Sequence, residues 1–404
     1  MPRDTRHIRR ENPFRVGGAV TPPYFTDREV ETARVTRALT TPQDHLLVFG
    51  PRRMGKTSLL RVVQDDLRSR GQGVVLADLS TASTLAEMTT RLLQAATREL
   101  GRLWSDAATA LVQRLSARIT LEPDAASGML LPSIGLGLDT DLGTQRTTFG
   151  SALDAIEALA AAKGRHLGLI LDEFQEIHRF GGETAEAHLR GLIQHHQHVS
   201  YVLAGSDERL IQAMTGKSRP FYKLLGNLRI GEMDPVHMAG WLDERIAGVG
   251  LHPGGMGARI VQVAGSRTRD IVQLAQETVD ISTSRAAMDE ETVAAAFLRV
   301  VQSADAPYRA IWTGLSPIQQ QVLRVLAVRT TGLTSAQVRR EFSLVSPSGS
   351  IVKAVQALVS RDIVVVQDSE YSYDDPFMRG WVILRALPDL GITRSVIALP
   401  SRPG

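Results

Sequence analysis

Residues 50–57 read Gly-Pro-Arg-Arg-Met-Gly-Lys-Thr, a G-x-x-x-x-G-K-[ST] pattern that leaves few folds open to the chain. An apolar run, Leu46-Leu47-Val48-Phe49, leads into it, and an amphipathic stretch from Ser58 to about Arg70 leads out. Strand, loop and helix in that order are the setting in which the pattern has a mechanism. Gly50 and Gly55 let the backbone curl until successive N–H groups face one anion, and the positive end of the helix dipole adds to them. Pro51, Arg52, Arg53 and Met54 fill the curl, and Ser58 follows it into the helix, so 50–58 is the expected phosphate cradle. Lys56 can reach β- and γ-phosphates as a point charge, and the Thr57 hydroxyl is placed to ligate Mg²⁺. The expected ligands are ATP or ADP and Mg²⁺.

A chain of 404 residues has room for two to three domains with cores of their own. Its 43% hydrophobic and 22% charged content is ordinary for a globular protein. The absence of cysteine excludes disulfides, thiolate zinc sites and cysteine nucleophiles together. No apolar stretch reaches the length of a membrane span and the amino terminus lacks an apolar signal core, so a cytoplasmic protein without a membrane partner is expected. The net charge of +3 does not argue for nucleic acid, although the basic residues are nearly all arginine.

Residues 1–24 carry Arg3, Arg6, Arg9 and Arg10, then Pro13, Gly17, Gly18, Pro22 and Pro23, without hydrophobic period. They read as a basic, irregular arm, a loosely packed terminus in preference to a phosphate-contacting one. From Phe25 to Pro235 strands and helices alternate, the mark of an α/β domain with a mostly parallel sheet between helices. Strands are expected at Leu46–Phe49, Val74–Leu79, Leu167–Leu171, Ser200–Ala204 and near Leu228–Ile230. Helices are expected at Lys56–Arg70, Leu85–Leu103, Ala152–Lys163, Glu183–His195 and Asp207–Met214. Between 118 and 148, alternation with Gly and Pro breaks reads as a β-hairpin insertion. Residues 236–305 turn helical throughout, as a small lid. Residues 306–404 read as a winged helix-turn-helix, with capping signatures at Ser316-Pro317-Ile318-Gln319 and Thr334-Ser335-Ala336-Gln337 and a hairpin at Ile363–Gln367 with Tyr371–Tyr373.

The run Leu167-Gly168-Leu169-Ile170-Leu171 ends in Asp172 and Glu173. A buried strand of an open α/β sheet delivers such residues at its carboxyl end, where ligands bind. Asp172 is expected to hold Mg²⁺ with Thr57, and Glu173 to orient or deprotonate the attacking water. The next strand ends in Gly205-Ser206-Asp207, where Ser206 either senses the γ-phosphate or caps the following helix. A cation for the transition state is sought among Arg219, Lys223, Arg229, Arg267 and Arg269. The histidines at 188, 195, 196 and 198 lack partners at ligand spacing and read as a solvated face. Tyr371, Tyr373, Phe377 and Trp381 read as winged-helix core, and Met233, Met238 and Met256 as lid packing.

Phe25-Thr26-Asp27-Arg28-Glu29-Val30-Glu31, Gly50–Leu60, Leu169–Ile177 and Tyr201–Ser206 together resemble the archaeal-type ATPase family, within the STAND branch of the AAA+ P-loop ATPases. The likeness continues through Phe221-Tyr222, the 118–148 segment and Tyr373, Asp375-Pro376-Phe377 and Trp381. It implies a three-layer α-β-α AAA+ core, a helical lid and a C-terminal winged helix, with Phe25 and Arg28 on the adenine side of the nucleotide. Where family members often carry Gly-x-Pro in the lid, this chain has Gly265-Ser266-Arg267-Thr268-Arg269, closer to the lid arginine of origin-recognition ATPases. Lys223-Leu224 replaces a frequent Gly-Arg.

Two functions compete. One is an ATP hydrolase, slow or effector-stimulated, working as a conformational switch that oligomerises or engages a protein through its winged helix. The other is a DNA-associated AAA+ protein, an initiator, loader or transposition helper. The third winged-helix helix offers only Lys353, Gln356 and small hydroxyls, and the wing tip Gln367-Asp368-Ser369-Glu370 is acidic. Acidic tips repel phosphate, which favours the switch.

Overall fold

The computed structural model describes residues 11–113, 119–123, 130–134, 141–217, 219, 221, 223–282, 287–342, 346–367 and 370–387. Arg3, Arg6, Arg9, Arg10, the Gly135–Leu138 run, Tyr222 and the wing-tip residues Asp368 and Ser369 lie outside them. The described residues fall into two compact units, Ala19–Glu232 and a second one drawn from Met1–Gly18 and Met233–Gly404.

The first unit is a five-stranded parallel sheet. Its strands are β1 (Leu46–Phe49), β2 (Gly73–Asp78), β5 (Leu167–Asp172), β6 (Val199–Gly205) and β7 (Gly226–Arg229), in the order β2-β5-β6-β1-β7. Strand side chains alternate between faces, and both faces are buried. Leu46, Val48, Val74, Ile170, Val202 and Ala204 meet helices Glu29–Thr40 and Lys56–Ser69 on one side. Leu47, Val75, Leu169, Leu171, Tyr201 and Leu203 meet helices Leu85–Leu103, Leu142–Ala162 and Gln175–Ile193 on the other. The result is the expected three-layer α-β-α core.

Strands β3 (Ile119–Pro123) and β4 (Leu130–Ile134) form an antiparallel pair within the stretch read as an insertion. That stretch ends earlier than expected. Helix Leu142–Ala162 begins inside it, capped by the Asp141 carboxylate on the Thr144 N–H, and buries Gln145, Thr148 and Phe149. The helix after β5 also begins earlier, at Gln175, and is broken at Gly182, whose φ of 61° interrupts the ladder.

In the second unit, helices Pro235–Gly248, Met256–Ala264, Thr268–Ile281 and Glu290–Ser303 form the lid. The winged helix follows as helices Asp305–Thr313, Pro317–Leu326, Ala336–Glu341 and Ser348–Ser360, then β8 (Val364–Gln367) paired with β9 (Glu370–Tyr373), then helix Pro376–Ala386. Ser316 and Gln319 make the reciprocal capping box that their spacing predicts. Lid and winged helix share one continuous core, in which Phe297 lies 5.3 Å from Phe377. Phe377 is therefore a core residue of both parts, and Trp381 packs within the winged helix, where it donates to Asp305 at 2.8 Å.

The arm is not loose at its base. Phe14, 1% exposed, is part of this core among Met238, Leu242 and Ile246. Asn12 donates to the Gln276 carbonyl and to Asp280, and Arg245 donates twice to the Pro13 carbonyl. A buried aromatic supplies the driving force, and charge-assisted bonds fix its approach.

Candidate active site

The loop after β1 has the geometry that its glycines predict. Gly50 takes φ 153°, Arg53 69° and Gly55 88°. A Cβ on Gly50 would stand 2.2 Å from the Ile230 carbonyl oxygen, so only glycine lets the loop pass β7. Gly55 heads helix Lys56–Ser69 and offers no side-chain cap, which leaves the first N–H groups directed at the loop. The Lys56 ammonium folds back over the curl and donates to the Gly50 and Pro51 carbonyls, both at 2.8 Å.

Neighbouring side chains sort by direction. Met54 is 2% exposed and packs in the core with Leu59 and Leu60, so only its backbone faces the loop. The Ser58 hydroxyl accepts the Val20 N–H at 3.0 Å and ties the leading segment down. Arg28 is held by protein partners. It is buried with φ 78°, and its guanidinium donates to Glu31 at 2.8 Å and to the Gly231 carbonyl at 2.6 Å, clasping the two ends of the unit. Phe25 is half-buried against Leu228 and its neighbours.

β5 brings its acids to this loop. Thr57 Oγ1 donates to Asp172 Oδ2 at 2.8 Å, joining positions 115 residues apart. Asp172 is 1% exposed, and burial pushes its carboxyl up to about 6; Glu173 and Asp78 push the same way, while the Thr57 hydrogen bond opposes them. A buried carboxylate beside two further acids and a hydroxyl is a hard oxygen set short of positive charge, and Mg²⁺ fits it. Among the described residues no cluster of three His, Asp or Glu could hold a metal by itself, and water together with phosphate oxygens would complete the shell.

Glu173 adopts φ 55°, a conformation rare outside glycine that turns the chain sharply from β5 towards the next helix. Its Oε2 accepts the Ser206 hydroxyl at 2.8 Å and the Gln175 amide as well. The structure brings Lys56, Thr57, Asp172, Glu173 and Ser206 together at one end of the sheet, with the Ser206 hydroxyl turned to the acid. Gln175 was missed. It stands two residues after Glu173, within the Leu169–Ile177 segment, but helical spacing alone does not show that its side chain folds back.

The candidate cations are occupied or exposed. Arg267 lies in the second unit and pairs with Asp374, both largely buried, so the lid arginine is bound to the winged helix. Arg269 is exposed in that unit. Arg219 pairs with Glu183. The histidine cluster is not simply a solvated face: His196 is 5% exposed and bonds the Tyr201 hydroxyl and Asp154, and His198 bonds Glu157.

Comparison with known proteins agrees with this geometry. Residues 25–220 match the family of ATPase domains found predominantly in Archaea, and residues 306–383 match a probable winged helix domain. Comparison with curated proteins returns no match. Among solved structures, a Walker-type ATPase of Pyrococcus abyssi is similar over 92% of this chain and 99% of its own, at 17% identity and a TM-score of 0.61. The ORC1 protein of Aeropyrum pernix in complex with DNA is similar over 90% and 95%, at 15% identity and 0.49. At such identities the likeness concerns the fold. A phosphate loop, a strand ending in paired acids and the matched domain together make this chain an ATP hydrolase whose residues 25–220 are similar to the archaeal-type ATPase domain.

Proposed function

We propose that the chain is a Mg²⁺-dependent ATPase whose nucleotide state switches its conformation, with the winged helix serving as a protein-docking and self-associating module. The Thr57–Asp172 bond carries the site reading, because it sets a metal-binding hydroxyl and carboxylate beside Glu173. Thr57 and Asp172 would hold Mg²⁺, which when bound neutralises charge on the phosphate oxygens. Lys56 and the amino end of its helix bind the phosphates, and Glu173 orients water for attack. Ser206, bonded to Glu173, would report the γ-phosphate to that acid.

The winged-helix surface supports the choice of partner. Helix Ser348–Ser360 exposes Val352 (46%) and has Lys353 as its sole basic residue, and Val366 of β8 is 50% exposed. Phosphate contacts supply most non-specific DNA affinity, and an apolar, barely cationic face provides few. The test uses the full chain. Glu173→Gln should slow turnover by about tenfold to a hundredfold while MgATP affinity stays near wild type. ATPase rate with and without duplex DNA, and mass with ATP and ADP, should show a nucleotide-dependent mass and no DNA stimulation. DNA-stimulated turnover at unchanged mass would replace the switch with a DNA-associated ATPase.

A further inference from the structure

We propose that Gln175 is a positioning residue for hydrolysis, holding Glu173 so that one chosen oxygen meets the attacking water. This rests on the reading of Glu173 given above. Gln175 opens its helix, a place where a polar side chain ordinarily finds solvent, yet it is only 4% exposed. The side chain folds back over the end of β5, and its Nε2 donates to Glu173 Oε2. The Ser206 hydroxyl donates to the same oxygen at 2.8 Å. With two donors from two elements on Oε2, the carboxylate cannot rotate freely, and Oε1 is the oxygen left to accept from water. Among the described residues no hydrogen bond reaches Oε1.

Two features show that the seat is built for this amide. A Cβ on Gly205 would stand 2.4 Å from Gln175 Oε1, so the last residue of β6 must be small for the carboxamide to fit. Gln175 Oε1 is itself buried without a partner, an unfavourable arrangement that burial for packing alone does not explain. An amide with one end orphaned and the other on the catalytic acid is oriented by that acid, since its oxygen could not face a carboxylate. Gly205 and Ser206 are adjacent, so the end of β6 supplies both the space for one donor and the whole of the other. Rigid placement of a water-activating group lowers the barrier without adding affinity.

The experiment compares Gln175→Met, which keeps length without a donor, in wild-type and Glu173→Gln backgrounds by steady-state and single-turnover ATP hydrolysis. In the wild-type background kcat should fall about tenfold or more with KM and MgATP affinity within about twofold. In the Glu173→Gln background the same change should leave the residual rate untouched, because both substitutions remove one device. Equal fractional loss in both backgrounds, a raised KM at unchanged kcat, or no change in either would overturn the proposal. If Gln175→Met does not fold, Gln175→Leu also lacks a donor, adds no charge beside Glu173, and is read by the same comparison. Full turnover by Glu173→Gln would sink the glutamate reading and this inference together; a slow Glu173→Gln with a normal Gln175→Met would sink this inference alone.

Discussion

Acid should weaken the sheet through one histidine. His45 sits just before β1, buried, with Nδ1 accepting the Tyr201 N–H at 3.2 Å and its ring 5.5 Å from the Tyr201 ring. Burial is the main cause that lowers it from 6.5 to about 4, with His196 and His166 adding to the effect and Asp44 and a bond to the Ile193 carbonyl opposing it. Between those values the unfolded chain binds a proton that the folded chain refuses, so stability is lost as pH falls through 6.5 towards 4. Each unit of the gap is worth about 1.4 kcal/mol, which gives roughly 1.3 kcal/mol lost between pH 7.5 and 5.5 and about 3 kcal/mol by pH 4. Protonation would also remove the lone pair that the Tyr201 amide uses. The assay is hydrogen exchange of peptides spanning Val199–Gly205, corrected for intrinsic rates, in wild type and His45→Gln. The variant should start less protected at pH 7.5 and then lose about 1.3 kcal/mol less on acidification. Parallel losses in the two proteins would mean that His45 is not the titrating group.

Three further outcomes are expected. Gly50→Ala forces a Cβ onto the Ile230 carbonyl, so β7 must part from β1; loss of at least about 2 kcal/mol should appear in denaturant unfolding, together with weakened nucleotide binding. MgATP at about a hundred times its Kd should stabilise the nucleotide-binding unit by roughly 2.7 kcal/mol, about 5–10 °C in melting temperature, and Lys56→Ala should abolish the shift. Tyr373→Phe removes a hydroxyl that donates to the Leu323 carbonyl at 2.5 Å inside the winged helix; a cost of about 1–2 kcal/mol is expected without change in ATP affinity.

What the sequence discloses follows from how far each signal reaches along the chain. The loop at 50–57 and the strand ending at Asp172 are local patterns with a mechanism, so their meeting at Thr57 is legible although 115 residues separate them. Helix Leu142–Ala162 is less so at its start, because Gly143, Thr144, Thr147, Thr148 and Gly150 are poor helix formers and only the Asp141 cap and the buried face hold them. Phe14 stands alone among proline, glycine and arginine, and a single aromatic has no period to reveal its burial. Arg267 meets Asp374 across 107 residues, and Arg28 meets Gly231 across 203. Such pairings depend on tertiary placement, which leaves an arginine headed for phosphate looking the same as one headed for a carboxylate.

The strand order has a consequence for the growing chain. β1, which delivers the phosphate loop, and β5, which delivers the acids, are not neighbours; β6 lies between them and bonds to both. A nascent polypeptide that has emerged as far as Asp172 therefore possesses the loop at 50–57 and the Thr57–Asp172 pair, yet lacks Ser206 and the strand that holds the two halves in register. Competence to bind nucleotide should arrive in one step as Val199–Gly205 leaves the ribosome, with no partial affinity before it. Ribosome-arrested chains of increasing length, probed with a fluorescent ATP analogue, would show that step; gradual gain from Asp172 onward would mean that β1 and β5 find each other without β6.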